Sequence, residues 1–412
     1  MWKSREAFEK STFFKRLKIQ GLEGLEGLWS ALESQKLRSQ RIFRLNPLRG
    51  AALSDFEAEG FKIGAELADF PAVYNIDLNE NTLNAQHPFW GAGLAYIQDP
   101  VALEIVKALD VQKNHWVLDL CAAPGGKSTR IAEQLGNTGW ILSNDADLKR
   151  ARILSGNLLR HGAIRSSVFS KEGAALSALF PNVFDRILMD VPCSGESLFF
   201  KRDEKRRDVY ESEVQELARL QLNLLSATAQ CLKAGGRLVY STCTYNTTEN
   251  EDVIRRFLKQ QTDFELLSEE RRWPHRHNTA GGYWAVLQKK GSLDLSLQKM
   301  LRHPEAERHG LLDRDGRVNF YAQSMMSPDL DVGMDEDPLL PPLENFEDWI
   351  LMTNDEAIAF LSGEALSNPN RKQGVHRMLF RAKWPLGAAK GVESRFNNLI
   401  PVELRTQFRN FK

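Results

Sequence analysis

The chain has 412 residues, 42% of them hydrophobic, and its 54 basic and 54 acidic side chains give a formal net charge of zero. That length predicts two or three globular domains. A neutral balance excludes a grip on nucleic acid exerted by the field of the whole molecule and leaves that task to local patches.

Two such patches exist. Residues 1 to 50 carry 11 Lys/Arg against 5 Glu, and residues 371 to 412 carry 10 against 2 acids, while Pro328 to Glu364 has 11 acids and neither Lys nor Arg. The four cysteines, Cys121, Cys193, Cys231 and Cys243, form no C-x-x-C pair, which argues against a zinc site and a disulfide framework and for reduced thiols in a cytosolic protein. No segment reaches the apolar length of a membrane span, so a soluble protein without a membrane partner is expected.

In chain order, residues 1 to about 110 read as an opening unit with helical and short extended patches. Its basic, aromatic stretch RIFRLNPLRG (41 to 50) is either an RNA-facing surface or a solvated helical face. HPFWGAGLAYIQDP (87 to 100) reads as a seam, followed by an amphipathic helix from Val101 to Leu109. From His115 onward strands and helices alternate, the signature of an α/β, parallel, doubly wound sheet. The expected elements are a strand Trp116 to Leu120, a helix from about Lys127, a strand in GWILSND (139 to 145), and a helix Leu148 to Arg160 capped by Asp147 and stopped at Gly162. A short strand around Val168, the strand FDRILMD (184 to 190), a long helix Tyr210 to Leu232, and the strand GRLVYST (236 to 242) continue the series. Thr248 with Glu251 reads as a capping box for the next helix, and YWAVLQK (283 to 289) as a closing strand. Residues 293 to 327 read as a polar connector, and the remainder as a small separate domain.

The stretch VLDLCAAPGGKST (117 to 129) organises the rest. It predicts a buried strand, a Gly-Pro turn and a helix start, where Gly125 and Gly126 let a ligand approach the backbone and the first N–H groups face an electron-rich group. CAAPGGKS is one residue from a phosphate loop, with Cys121 in place of its first glycine, and ILMD (187 to 190) could hold magnesium, so a nucleotide hydrolase is the competing reading. A cysteine Cβ and a stiff Ala-Ala-Pro bend argue against it. Asp145, 19 residues past Gly126, suits a ribose diol instead. A glycine-rich turn without a ligand is the third alternative.

Two further strand ends carry chemistry. Asp190-Val191-Pro192-Cys193-Ser194-Gly195-Glu196 and Ser241-Thr242-Cys243-Thr244 fall on the same sheet edge as the glycine loop, so a carboxylate and two thiols converge on one crevice. Carbon 5 of a pyrimidine has no lone pair. A thiolate must first add to carbon 6 to make carbon 5 a nucleophile able to attack a methyl sulfonium, which makes a cysteine a necessity for that target. Lys127 is a cationic neighbour that would favour the thiolate. The residues themselves leave open which cysteine attacks.

At DLCAAPGGKS, LMDVPCSGES and LVYSTCTYNTTENE, with the flanks FRLNPLRG, YIQDP and RRWPHRHNTAGGYWAVLQK, the sequence resembles the RNA cytosine-5 methyltransferases of the bacterial RsmB/RsmF and eukaryotic NSUN types. The resemblance covers roughly residues 40 to 290, and PLGAAKGVESRFNNLIPVELR resembles the C-terminal PUA-like RNA-binding segment of the RsmF group. It implies a Rossmann-like, S-adenosylmethionine-dependent methyltransferase sheet at 111–292, an N-terminal α+β RNA-binding domain at 1–110, and a connector with a PUA-like domain at 293–412. It further implies Cys243 as nucleophile, Cys193 as the residue that helps eliminate the product, and Asp190 near the methionine and the cytosine. S-adenosylmethionine would be held by Cys121, Ala122, Ala123, Pro124, Gly125, Gly126 and Lys127, with Asp145 on the ribose and Glu172 on the adenine side, where the family commonly has Asp. The implied protein is a cytoplasmic monomer without metal, acting on 16S ribosomal RNA, with transfer RNA as the second class of substrate. The sequence departs from the family's pattern at Ser197, in place of a glycine, and at Phe200, which precedes Lys201 and Arg202.

Overall fold

The computed structural model describes residues 2, 4–33, 40–77, 87–163, 165–200, 208–277, 279–292, 349–362, 364–380 and 384–398. Its centre is a seven-stranded sheet in the order β10-β11-β9-β8-β5-β6-β7. These strands are β5 (Trp116–Asp119), β6 (Trp140–Asn144), β7 (Ser166–Phe169), β8 (Phe184–Asp190), β9 (Leu232–Thr242), β10 (Phe264–Arg272) and β11 (Gly282–Lys289). β5 to β9 run parallel. Because β6 lies on one side of β5 and β8 on the other, the chain reverses its direction of travel at β5. Open α/β sheets bind ligands at the carboxyl ends of the strands at such a switch point.

Alternation along the strands explains why the sheet is covered on both faces. Leu118, Leu142, Ile187 and Leu238 enter one core with Leu225 and Phe257, from the helices Glu211–Thr228 and Glu251–Gln260. Val117, Ile141, Leu188 and Val239, each offset by one residue, enter the opposite core with Ile105, Val106 and Ile131 from the helices Val101–Leu109 and Gly126–Leu135. A parallel strand buried on both faces must be apolar without interruption, which is why VLDL, WILS and RILM read as runs. Truncating one of these leucines to alanine should cost about 2–5 kcal/mol.

Three sequence expectations are corrected. The strand at 282–289 does not close the sheet. It lies antiparallel between β9 and β10, and β10 is the edge. FELLSEERR escaped notice because most of its side chains are exposed on both faces. An edge strand guarded by charge shows no apolar alternation. The helix after β9 starts at Glu251, not at a Thr248 cap. The Thr247 carbonyl accepts from Asn250 and Asp252 N–H, and the Thr248 hydroxyl accepts from Gln20 Nε2 at 3.0 Å. RIFRLNPLRG is neither a solvated helix nor an open surface over its first half. It enters β1 (Gln40–Leu45), where Ile42, Phe43 and Arg44 are fully buried.

β1 belongs to a four-stranded sheet, β2-β3-β1-β4, with β2 (Ile63–Leu67), β3 (Phe70–Asp77) and β4 (Ala95–Gln98). Arg44 leaves this sheet for the helix that follows β5. It pairs with Glu133 at 3.0 Å and donates to Thr129 Oγ1 at 2.6 Å, and Glu133 also binds His161 and Arg130. Burial pushes the Glu133 carboxyl up, but Arg44 and His161 outweigh it and hold its pKa below the usual range. Removing one partner of such a buried pair costs about 3–5 kcal/mol.

A five-stranded sheet, β12-β14-β15-β16-β13, with the helix Asn354–Leu361 forms the C-terminal unit. Its strands are β12 (Trp349–Met352), β13 (Leu366–Ser367), β14 (Gly374–Phe380), β15 (Trp384–Val392) and β16 (Arg395–Asn398). Its Phe360, Leu361, Met378 and Phe396 share one core with Phe43 of β1 and with Phe56 and Phe89 of the helices Leu53–Glu57 and Pro88–Gly91. The N-terminal helices take a different partner. Phe8, Phe13, Leu17 and Leu28 pack with Phe199, Phe200, Tyr245 and Trp273 of the unit built on the seven-stranded sheet. The polar connector, most of the acidic stretch from Pro328, and Lys201 and Arg202 lie outside the described residues. Among the described residues, no helix is long and apolar enough to cross a membrane.

Candidate active site

The glycine loop leaves β5 and enters the helix at Gly126. Gly125 has φ 111°, a conformation open to glycine and strained for other residues. Ala122 N–H donates to the Asn144 carbonyl at 2.8 Å, tying the loop to the end of β6. A Cβ at position 126 would sit 3.1 Å from Gln98 Oε1 and 3.3 Å from the Tyr96 ring. The YIQ of β4 therefore backs this loop, which gives the flank YIQDP a structural reason.

Around the loop stand three carboxylates. Asp119, 1% exposed, accepts from Ser128 Oγ at 2.6 Å through Oδ2, while its buried Oδ1 has no hydrogen-bond partner among the described residues. Burial raises its pKa to about 7 against the opposing Ser128 bond and Lys127 charge. Asp145 is also buried. Its Oδ1 accepts from Asp147 N–H at 3.1 Å, and its Oδ2 makes no hydrogen bond among the described residues, although Arg150 lies 3.2 Å away. Glu172 is exposed at the N-terminus of the helix Gly173–Ser177, next to Lys171, which bonds both ways with Asn144. Cys121 is half-buried, and burial, reinforced by the nearby acids, pushes its thiol up, so it stays a neutral lining group.

Asp190 ends β8. Its Oδ2 receives Lys127 Nζ at 2.6 Å and its Oδ1 receives Ser241 Oγ at 2.8 Å. One carboxylate thus joins the glycine-loop helix, β8 and β9. Burial alone would lower the Lys127 pKa, but Asp190 overrides it, and Asp119 and the Cys243 sulfur act in the same upward direction. A fixed cation thus lies within electrostatic reach of Cys243.

The two cysteines come together. Cys193 Sγ and Cys243 Sγ lie 3.3 Å apart, although 50 residues separate them. The hydrogen bond to Cys243, followed by burial, raises the Cys193 pKa well above the ordinary thiol value. The two thiols therefore share one hydrogen bond and titrate as a pair.

The loops that carry these thiols are stitched together. Ser194 Oγ bonds Thr244 Oγ1 at 2.8 Å, and Glu249 accepts from Ser194 N–H at 2.8 Å, Asn246 Nδ2 at 2.8 Å and Gln221 Nε2 at 2.9 Å. Glu196, fully buried, accepts from the Thr244 hydroxyl and from the Tyr245 and Asn246 N–H groups. Sequence reasoning missed Asp119, Ser241, Glu196 and Glu249. Asp119 had a signal, an acid ending an apolar strand before the glycine loop. The others acquire meaning only from partners about 50 positions away.

Residues 106–288 match the family model described as 16S rRNA methyltransferase RsmB/F. The chain is similar to the ribosomal RNA small subunit methyltransferase F of Erwinia tasmaniensis, 38% identical over 202 residues that cover 47% of this chain and 42% of that protein. It is also similar to the probable ribosomal RNA small subunit methyltransferase B of Bacillus subtilis, 34% identical over 238 residues, 57% of this chain and 52% of that protein. The chain spans about half the length of the curated relatives it matches. Among solved structures, a methyltransferase homologue protein from Pyrococcus horikoshii aligns with a TM-score of 0.58 at 27% identity, over 67% of this chain and 94% of that one. The segment 106–288 is thus the part of the chain that is similar to the RsmB/RsmF methyltransferases.

Proposed function

We propose that this chain methylates carbon 5 of cytosine in RNA, with small-subunit ribosomal RNA as substrate and S-adenosylmethionine as methyl donor. The observation that carries the reading is the thiol pair, 3.3 Å between sulfurs, beside an aspartate fixed by Lys127 and Ser241. Bound S-adenosylmethionine supplies an electrophilic methyl group. The residues present fit it. The glycine loop opens the helix N-terminus at Gly126, and Asp119 Oδ1 and Asp145 Oδ2, without a hydrogen bond among the described residues, are the acceptors that an amino group and a ribose diol require.

Cys243 adds as thiolate to carbon 6 of the cytosine, with the Lys127 cation favouring its ionised form. Asp190, held at both oxygens, orients the base and keeps Lys127 in place. After carbon 5 is methylated, a base takes its proton, the C–H electron pair re-forms the double bond between carbons 5 and 6, and Cys243 departs as thiolate, with Cys193 positioned to assist that elimination. The nucleotide-hydrolase reading loses ground because Lys127, the lysine that a phosphate loop aims at its nucleotide, is engaged by Asp190.

The five-stranded C-terminal unit acts as the PUA-like RNA-binding domain of a cytoplasmic monomer, and its core shared with the N-terminal sheet would hold both RNA-facing units as one block. The proposed functional division is 1–110, 111–292 and 293–412, with the helices of the first part packed on the second. The purified chain should convert cytosine in 16S ribosomal RNA to 5-methylcytosine, read by bisulfite sequencing. Modification of transfer RNA alone would move the substrate, and saturable binding of ATP with magnesium but not of S-adenosylhomocysteine would overturn the reading.

A further inference from the structure

Glu196 binds the turn that leaves Cys243. Its Oε2 lies 2.6 Å from Thr244 Oγ1, 2.8 Å from Tyr245 N and 3.0 Å from Asn246 N, donors from three consecutive residues of that turn. The next N–H in the chain, that of Ser197, donates to the Cys243 carbonyl at 3.0 Å. Glu196 and Ser197 therefore grip the Cys243 turn from the loop that carries Cys193.

Three donors converge on one buried carboxylate oxygen, and a buried carboxylate needs a cation. That cation comes from the far end of the sequence. Arg16 Nη1 lies 2.7 Å from Glu196 Oε1, and the guanidinium is itself buried, fixed by Glu211 at 2.9 Å and the Val209 carbonyl at 2.6 Å. The same helix, Thr12–Ile19, leads into a second bridge, in which Gln20 accepts from Thr247 N–H at 2.9 Å and donates to Thr248 Oγ1 at 3.0 Å. Its start is fixed as well, since Asp208 accepts from Thr12 and Phe13 N–H. The aromatic core around Phe13, Phe199 and Tyr245 closes the contact.

We propose that Arg16, acting through Glu196, is a positioning residue for the Cys243 turn, so that the N-terminal helices belong to the catalytic unit rather than only to an RNA-facing extension. The inference rests on Cys243 and Cys193 being the reacting pair. It predicts that disturbing residue 16 separates the two sulfurs while leaving the glycine loop intact.

The test uses the full chain with Arg16→Met, Arg16→Lys and Gln20→Ala. Two quantities are read, each normalised to sites that bind S-adenosylhomocysteine by calorimetry. One is single-turnover methylation of 16S ribosomal RNA. The other, made without RNA, is the rate at which diamide couples Cys193 to Cys243, each thiol giving up one proton and one electron as the diazene is reduced to the hydrazine. Arg16→Met should lower both rates at least about tenfold, because displacement of a reacting group by about 1 Å costs up to a hundredfold, with cofactor affinity changed less than about twofold. Arg16→Lys should recover part of the loss, and Gln20→Ala should lower both rates by about threefold. A merely structural arginine would reduce the number of binding sites and leave both rates per site unchanged, and that result overturns the proposal. If Arg16→Met does not fold, unchanged rates in Gln20→Ala and Arg16→Lys overturn it equally. A wild-type chain that couples its thiols but methylates no RNA would instead refute the functional reading, and the coupling rates of the variants would still decide the positioning role.

Discussion

The two halves of the crevice are built in opposite ways. The proposed cofactor half comes from the stretch 117–129 and the end of β6, and Asp119 Oδ1 and Asp145 Oδ2 are both without a hydrogen bond among the described residues. The thiol half comes from loops 50 residues apart, backed by Arg16, and its two carboxylates, Glu196 and Glu249, are saturated with donors. A ligand that arrives with its own donors needs a site with acceptors to spare. A nucleophile that must meet carbon 6 in one geometry needs a frame with none to spare, because a saturated network has a single low-energy arrangement.

The largest expected effects lie in the saturated half. Cys243→Ala should lower methylation by more than about a thousandfold and abolish the covalent protein–RNA adduct. Cys193→Ala should still transfer the methyl group but accumulate an adduct stable to denaturing electrophoresis. The opposite pattern would exchange the roles of the two thiols. At the join between the halves, Asp190→Asn removes the charge that fixes Lys127, and single-turnover rates should fall about a hundredfold. A loss confined to cofactor affinity would assign Asp190 to the cofactor half alone.

In the vacant half the effects should be smaller and should oppose stability. Asp119→Asn should weaken S-adenosylhomocysteine binding about tenfold, read by calorimetry. Because burial lifts the folded Asp119 pKa from 3.8 to about 7, the unfolded chain binds fewer protons over that interval. The stability contributed by this group is present below pH 4 and is lost as the pH rises through about 7. The variant should therefore gain thermal stability relative to the parent across that window, and a difference that does not vary with pH would deny the buried carboxyl its role. The smallest effect belongs to the C-terminal unit. Reversing Arg371 and Lys372 should weaken RNA binding a fewfold, with the salt slope reduced by about one for each phosphate no longer bound. Unchanged affinity would make that face an ordinary solvated surface.

Local pattern determined a good deal here. The uninterrupted apolar runs ending in Asp119, Asn144 and Asp190 could only be strands buried on both faces, and their alternation with helices set the doubly wound order that creates the crevice. The glycine loop was legible because strand, turn and helix start lie within 13 residues. Tertiary structure decided what depends on distant partners. The edge strand Phe264–Arg272 is a strand because β11 pairs with it, not because its side chains alternate. Arg44 looked like a surface cation and is buried because Glu133, 89 positions onward, neutralises it. Glu196 and Arg16, 180 positions apart, likewise cancel each other's burial cost. A charge reads as exposed in sequence because burial alone disfavours it. Only the fold supplies the opposite charge that makes burial favourable.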